Sequence, residues 1–454
     1  MYRNYLIKIV LVAVAFLTTI ASGNAETLNV TLDDCIRIAL SDNPSIIVAD
    51  MEIQRVDYSK KETLAQLFPQ VNFSANYSRT LAKQTMVMMD QTFKVGTDNQ
   101  HSVGFQGSLP IIVPALWKSI KLSDNQILQN IEQARSSRLS LVNQVKNAYY
   151  ALLLARDSKR VIEANHETAL FTADMFKKQF EIGVATEYDM TRARVAATTL
   201  EPSILDAENS ITALKLQLKV LMGMDASIDI EPVETLDSYK SMMYENALNV
   251  DTSLVNNTNI KQLDLQTDYM KQALEVQKMS WYPTLSGSIN YMWNSMSNGS
   301  PFKNFNWNPY SQAALSLSWN LFTGGQRYYK QKEAEIAVRE MQWQRENLTR
   351  SLSSQVETQI NAMKSNLKQI ESNAASVALA EKSDNIIQES FKLGVGTFLQ
   401  LQDSQNALLG ARLSYYQAIY NLLVSQSDLE FVLGNAPLSK YGVNPETNQT
   451  QNKR

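Results

Sequence analysis

The chain is short of the residues on which most protein chemistry depends. Its 454 residues include one cysteine and two histidines, His101 and His166. No disulfide can form within the chain, and neither a zinc site nor a serine or cysteine triad finds its usual partners. No Gly-rich phosphate loop occurs either. The expectation is a protein that is not an enzyme and that carries no cofactor and no metal, so any transport draws its energy from elsewhere. The lone thiol, Cys35, follows Asp33 and Asp34 in a helical pattern and lacks the small-residue context of a lipid-acceptor cysteine. It reads as a small residue on a helix face. Met86, Met88 and Met89 read as apolar filling of a loop in preference to soft-metal ligands.

An excess of positive charge is missing too, as is a bilayer-spanning helix at the N-terminus. There, Arg3 and Lys8 precede an apolar run over residues 9–21, and Gly23-Asn24-Ala25 follows it. A run of ~13 residues is well short of the ~20 that cross a bilayer, so residues 1–25 read as a secretory signal cut after Ala25. Without them 40 basic residues face 45 acidic ones, a net charge of −5. A nucleic-acid partner is not expected.

Glycine and proline are absent from residues 115–182 and from residues 326–393. Each stretch suits one unbroken helix of about 100 Å, which must belong to a coiled coil or a tube. The chain also repeats itself. A shift of 211 residues lays Gly183-Val184-Ala185-Thr186 on Gly394-Val395-Gly396-Thr397 and Gly223 on Gly434. Between these landmarks a seam at steps of three and four recurs in register: Met190, Ala193, Ala197, Leu200, Ile204, Ala207, Ile211, Leu214, Leu218 and Leu221, then Leu401, Ser404, Leu408, Ala411, Tyr415, Ala418, Leu422, Ser425, Leu429 and Val432. The long helices carry the same period, at Leu141, Val145, Ala148, Leu152 and Ala155 and again from Val356 through Ile360, Met363, Leu367 and Ile370 to Val377. Pro202 interrupts the first seam, where a kink is expected. The implied plan is a signal over 1–25, a first structural repeat over 26–230, a second over 231–436 and a polar C-terminal tail over 437–454. Thr31 with Asp33 and Asp34 reads as a helix start.

Each copy also holds two segments of period two, at residues 71–79, 101–112, 284–294 and 312–322. Val71, Phe73, Ala75 and Tyr77 alternate with Asn72, Ser74, Asn76 and Ser78, and the other three segments alternate likewise, Leu315 and Leu317 with Ser316 and Ser318. Small uncharged partners suit a wet lumen, and Trp117, Trp281, Tyr282, Trp293, Tyr310, Trp319 and Tyr328 fall near the strand ends like interfacial aromatics. Four strands cannot close a barrel in lipid, so several chains must share one. Three chains would supply twelve. The fold class is therefore mainly α, a long coiled-coil α-barrel tunnel with a small membrane β part.

Leu321-Phe322-Thr323-Gly324-Gly325-Gln326-Arg327, leading from the last strand into a long helix, resembles a hallmark of the TolC family. The two Gly-Val-x-Thr turns strengthen the resemblance, as does Ile38-Ala39-Leu40-Ser41-Asp42-Asn43-Pro44 with its echo Asn246-Ala247-Leu248. It covers residues 30–435 and implies a homotrimeric duct through outer membrane and periplasm, opened by a periplasmic adaptor and an inner-membrane pump. It makes the turns at Gly183, Val184, Thr186, Gly394, Val395, Gly396 and Thr397 the adaptor-docking tips, and turns the hairpins over 81–99 and 295–310 to the cell exterior. The family's entrance residues fall on Phe391, Asp403 and Asp189. The chain departs from the pattern at Gln400, where a second acid is usual, and at Gly396, where an arginine is usual, which leaves an apolar closure through Phe391 and Phe398 as the alternative. The competing reading is a structural periplasmic tether or adhesin stalk, electrically silent.

Overall fold

The computed structural model describes residues 28–88, 91–240, 252–303 and 305–441. The signal over 1–25, the echo at 246–248, Met89 and the tail from 442 on lie outside them. In chain order the elements are β1 (Leu28–Val30), α1 (Leu32–Asp42), α2 (Pro44–Ala65), β2 (Gln70–Arg79), β3 (Gln84–Met88), β4 (Gln91–Val95), β5 (Asn99–Ile112), α3 (Pro114–Glu181), α4 (Glu187–Thr198), α5 (Glu201–Met222), β6 (Ile230–Pro232), α6 (Thr258–Lys278), β7 (Thr284–Ser297), β8 (Asn308–Ser318), α7 (Gln326–Lys392) and α8 (Phe398–Leu433), with short 3-10 turns between some of them. The stretches without glycine and proline are the 68-residue α3 and the 67-residue α7. Among the described residues no helix is long and apolar enough to cross a membrane.

The chain forms two compact units, and neither is one of the sequence copies. The first takes residues up to Val48, Ala134–Thr258 and everything from Thr349; the second takes Ala49–Gln133 and Asn259–Leu348.

In the first unit part of the heptad seam is fully buried, Val145 and Leu152 of α3, Met363 and Ile370 of α7 and Leu422 of α8 each being no more than 2% exposed, while much of the first-copy seam, Ile204, Ile211 and Leu214 included, is only half-buried. Such a stripe removes one helix face from water and leaves the rest solvated. Near Pro202 the helix breaks, α4 ending at Thr198 and α5 restarting at Glu201 with proline in its first turn, where the missing N–H costs nothing. The duplication reappears as a pair of pins. Gly223 and Gly434 end α5 and α8 in the left-handed region, at φ 68° and 71°. Asn43 Nδ2 donates to the Leu221 carbonyl at 2.8 Å and Asn257 Nδ2 to the Val432 carbonyl at 2.5 Å. A Cβ on either glycine would strike backbone, the carbonyl of Asp42 or that of Asn256. Parallel strands β1 and β6 pair across the boundary set at 230/231. Beside them the Glu234 carboxylate accepts from the Leu32 N–H and from the hydroxyls of Tyr149 and Tyr239.

Thr31 caps α1 in a capping box with Asp34. Asp33 instead accepts from Lys440 at 2.7 Å, and Leu438 is buried, so the segment read as a polar tail starts with packed residues. Cys35 is fully buried, and desolvation first, then the charges of Asp34 and Glu234, push its thiol up to about 12. Since only the thiolate attacks, roughly one thiol in ten thousand is reactive at pH 8. Iodoacetamide is expected to leave Cys35 unmodified in the folded protein and to label it fully in denaturant. Rapid native labelling would place the residue at the surface.

In the second unit four strands form an antiparallel sheet in the order β2-β5-β7-β8, with β2 and β8 at its edges. Directly paired residues point to one side. The register aligns Phe73, Phe105 and Tyr291, and separately Leu285 with Leu317, while Asn72 pairs Gln106 and Ser286 pairs Ser316. The four alternations thus merge into one mainly apolar face and one mainly polar face, with Ser311 opposite Tyr291 on the first and Met292 opposite Tyr310 on the second. The last strand is a correction: expected over 312–322, it runs over Asn308–Ser318, leaving Trp319 and Leu321 beyond it. Its partner β7 starts just after Pro283, which has no N–H to extend the ladder. Trp319 Nε1 donates instead to the Trp281 carbonyl at 3.1 Å. The methionine loop is a second correction, since β3 and β4 pair as a hairpin and Met86 is half exposed instead of filling anything. The loops that join β2 to β5 and β7 to β8 are tied together, Asp98 accepting from the Gly299 N–H and Lys83 reaching Asn298.

Candidate functional site at the two helix turns

Both Gly-Val-x-Thr segments fold the same way. α3 and α7 each stop at a glycine with positive φ, 77° at Gly183 and 75° at Gly394. Val184 N–H reaches back to the Gln179 carbonyl at 2.8 Å and Val395 N–H to that of Ser390 at 3.0 Å. These are Schellman caps, which satisfy the last carbonyls of a helix and call for glycine at the left-handed position. Open space surrounds both glycines. Ending a helix is therefore a role that both fulfil here. The side chains next to them face solvent, Ile182, Val184, Leu393 and Val395 all being more than 70% exposed.

The next helices start from Thr186 and Thr397. The Asp189 N–H donates to Thr186 Oγ1 at 3.1 Å, and that hydroxyl donates to the Asp189 carboxylate at 2.7 Å. In the second copy the Thr397 N–H donates to Gln400 Oε1 at 2.9 Å, and the Gln400 N–H returns to Thr397 Oγ1. The shift of 211 lays Asp189 on Gln400, so the two candidate gate residues share one local task. Each closes the cap on a helix N-terminus, where an acceptor meets free N–H groups. Asp403 differs. It lies one turn further on, exposed, and its side chain makes no ion pair or hydrogen bond with any described residue.

One apolar cluster takes residues from both copies. Phe176, Ala193 and Phe398 are buried together, with Ala173, Ala185, Ala196 and Phe391 packed around them. The Phe176 ring meets Phe398 edge-on at 5.0 Å between centroids and Phe391 at 5.7 Å. Arg192 lies 5.8 Å over the Phe398 ring. The aromatics offered for an apolar closure are therefore engaged within the chain, Phe398 wholly and Phe391 in part. Phe176 escaped the sequence reading, although the three-four stepping of α3, carried past Ala155, reaches Ala169, Ala173 and Phe176. Asp384 was missed as well. This carboxylate is 5% exposed and accepts from Ser404 Oγ at 2.9 Å and Gln388 Nε2 at 2.6 Å.

The strand-to-helix motif lies in the second unit. Gly324 and Gly325 both have positive φ, at 60° and 85°, and make the turn into α7. Leu321 and Phe322 are exposed. Arg327, quoted in the motif and given no role, is buried; it donates to the Ser280 carbonyl at 3.1 Å and to Thr323 at 3.3 Å and stacks 4.4 Å from the Trp281 ring. It ties the start of α7 to the entry of β7. No group of three or more metal-ligating side chains occurs among the described residues.

A sequence model of the outer membrane efflux protein family matches residues 35–224 and 249–435, one match in each copy. The outer membrane protein TolC of Vibrio cholerae is 21% identical over 373 residues, 81% of this chain and 82% of that protein. The alkaline protease secretion protein AprF of Pseudomonas aeruginosa is 22% identical, over 93% of this chain and 88% of its own length. The CmeC outer membrane channel of Campylobacter jejuni shares the fold, with a TM-score of 0.71 at 16% identity, covering 92% of this chain and 88% of that one.

Proposed function

The chain belongs to the outer membrane efflux protein family, and from that premise we propose that three copies of it form a passive duct serving an efflux or secretion system. The observation that carries the reading is the sheet. It has one mainly apolar face, one mainly polar face and two unpaired edges. An open edge in hydrocarbon leaves N–H and C=O groups unsatisfied at several kcal/mol each, so β8 of one copy must pair with β2 of the next. Native mass spectrometry of the detergent-extracted protein should give a trimer, and planar bilayers should show discrete ion conductance. A monomer without conductance would favour the tether.

The turns supply the adaptor contact in this proposal, through the exposed apolar side chains beside the capping glycines. Val184→Asp combined with Val395→Asp should leave folding and membrane insertion intact, because neither side chain is packed, and should abolish adaptor co-purification. Retained adaptor binding would move the contact elsewhere.

Asp403 is assigned the entrance. Threefold symmetry makes it a ring of three carboxylates, which attracts cations and binds a polyvalent one where the charges crowd. Asp403→Asn is expected to remove most of the polyvalent block applied from the periplasmic side. Asp189→Asn should do little, since that carboxylate is held in its cap. Unchanged block and selectivity in the Asp403→Asn trimer would exclude the ring.

A further inference from the structure

Between α3 of the first copy and the α7–α8 pair of the second lies a cavity of about 290 Å³. Its wall is polar where the surrounding seams are apolar. Asn165 and Thr168 line it from α3, Glu381, Asp384 and Gln388 from α7, and Arg412 from α8. The charges do not balance. Arg412 and Glu381 pair with each other at 2.8 Å, whereas Asp384, nine-tenths buried, has hydrogen bonds from Ser404 and Gln388 and no cation against it. A buried carboxylate left with neutral donors attracts a positive group, because Coulomb energy rises as water is excluded. A room of this size holds a compact ion; at about 30 Å³ per molecule it is far larger than one water requires. The other polar wall groups are the amides of Asn165, Asn385, Gln388 and Gln405 and the Thr168 hydroxyl, whose oxygens accept N–H donors, and Val161, Ala164, Leu408 and Leu409 complete the wall with apolar surface. No set of three ligating carboxylates or imidazoles is present for a bare metal ion.

We infer that this cavity is a binding site for a small organic cation bearing several N–H donors, of the alkylguanidinium or primary-ammonium class, with Asp384 as its anionic anchor. A planar guanidinium satisfies a carboxylate and neighbouring amide oxygens together, which a compact ion without N–H groups does not. A ligand there touches α3 on one side and α7–α8 on the other. On the duct reading, occupancy therefore resists separation of the two turns and holds the entrance shut.

The full chain in detergent is titrated with methylguanidinium by calorimetry, with tetramethylammonium as an equally charged probe that lacks N–H donors. Saturable binding of methylguanidinium alone is expected, at least about tenfold weaker in Asp384→Asn and unchanged in Glu371→Gln, which removes an exposed carboxylate of the same helix outside the cavity. Asn165→Phe fills the cavity from α3 while leaving Asp384 in place, and should abolish binding even if Asp384→Asn assembles poorly. Equal binding by the Asp384→Asn protein, equal binding of tetramethylammonium, or no saturable binding to the wild type would overturn the site. Single-channel recordings then address closure, where methylguanidinium should lower the open probability of the wild type and not of Asp384→Asn. A protein that binds the probe through Asp384 but never conducts keeps the site and removes the duct.

Discussion

Phe176→Ala is expected to cost about 3 to 5 kcal/mol of local stability, the usual range for deleting a buried aromatic ring, and to release the two turns from each other. The ring is 5% exposed and touches Phe391 and Phe398, which flank the second turn, while Ala185 and Ala193 bring the first turn to the same cluster. Alanine leaves a cavity that rigid neighbouring helices refill poorly, and both aromatic contacts go with it. The loss should stay near the turns, because the buried seams of α3, α7 and α8 continue without this side chain. Hydrogen exchange is the measurement. Amides over 177–186 and 388–400 should exchange orders of magnitude faster, with those around Val145 and Met363 unchanged. Phe180→Ala is the control, since Phe180 is 41% exposed and takes no part in the cluster. If exchange over 388–400 stays at its wild-type rate, the ring does not couple the turns.

The second large effect needs the membrane. Leu317→Arg or Phe73→Arg should each cost roughly 2 to 4 kcal/mol near the bilayer midplane, whereas Ser316→Arg and Ser74→Arg should be tolerated. Within the single chain Leu317 is 69% exposed and contributes little packing to its own sheet, whereas the Phe73 ring lies 5.3 Å from that of Phe105, which makes Leu317 the cleaner site. Any penalty at Leu317 therefore comes from the lipid that would surround it. Urea titration of barrels folded into vesicles, comparing each neighbouring pair, separates the faces. Equal penalties at 316 and 317 would mean that the assigned faces are wrong.

Much of this architecture was legible because it is local. A helix without glycine or proline, a strand of period two and a Gly-Val-x-Thr cap are each decided by residues within a few positions. What escaped depends on partners far along the chain. Trp319 and Leu321 continue the alternation of β8, yet a strand ends where its neighbour stops, and β7 can offer nothing before Thr284. The twin pins of Asn43 and Asn257 join residues more than 170 positions apart. The family resemblance puts Asp189 and Gln400 at the entrance, whereas their capping role rests on hydrogen bonds that the third helical position makes with either side chain. Phe176 sat in a legible stripe, but its importance comes from the two rings it meets across the duplication.

The unequal caps bear on how many partners the duct can seat. In the proposed duct three chains would expose six turns around the mouth, closed alternately by the carboxylate of Asp189 and the neutral amide of Gln400, with Ala185 alternating with Gly396. The rim is thus sixfold in outline and threefold in chemistry. A ring of six identical partner subunits gripping every turn would have its members on two unlike seats, with two affinities and two rates of release. A partner that recognises only one kind would bind three to a duct, and the stoichiometry of the assembled complex would report which surface it reads.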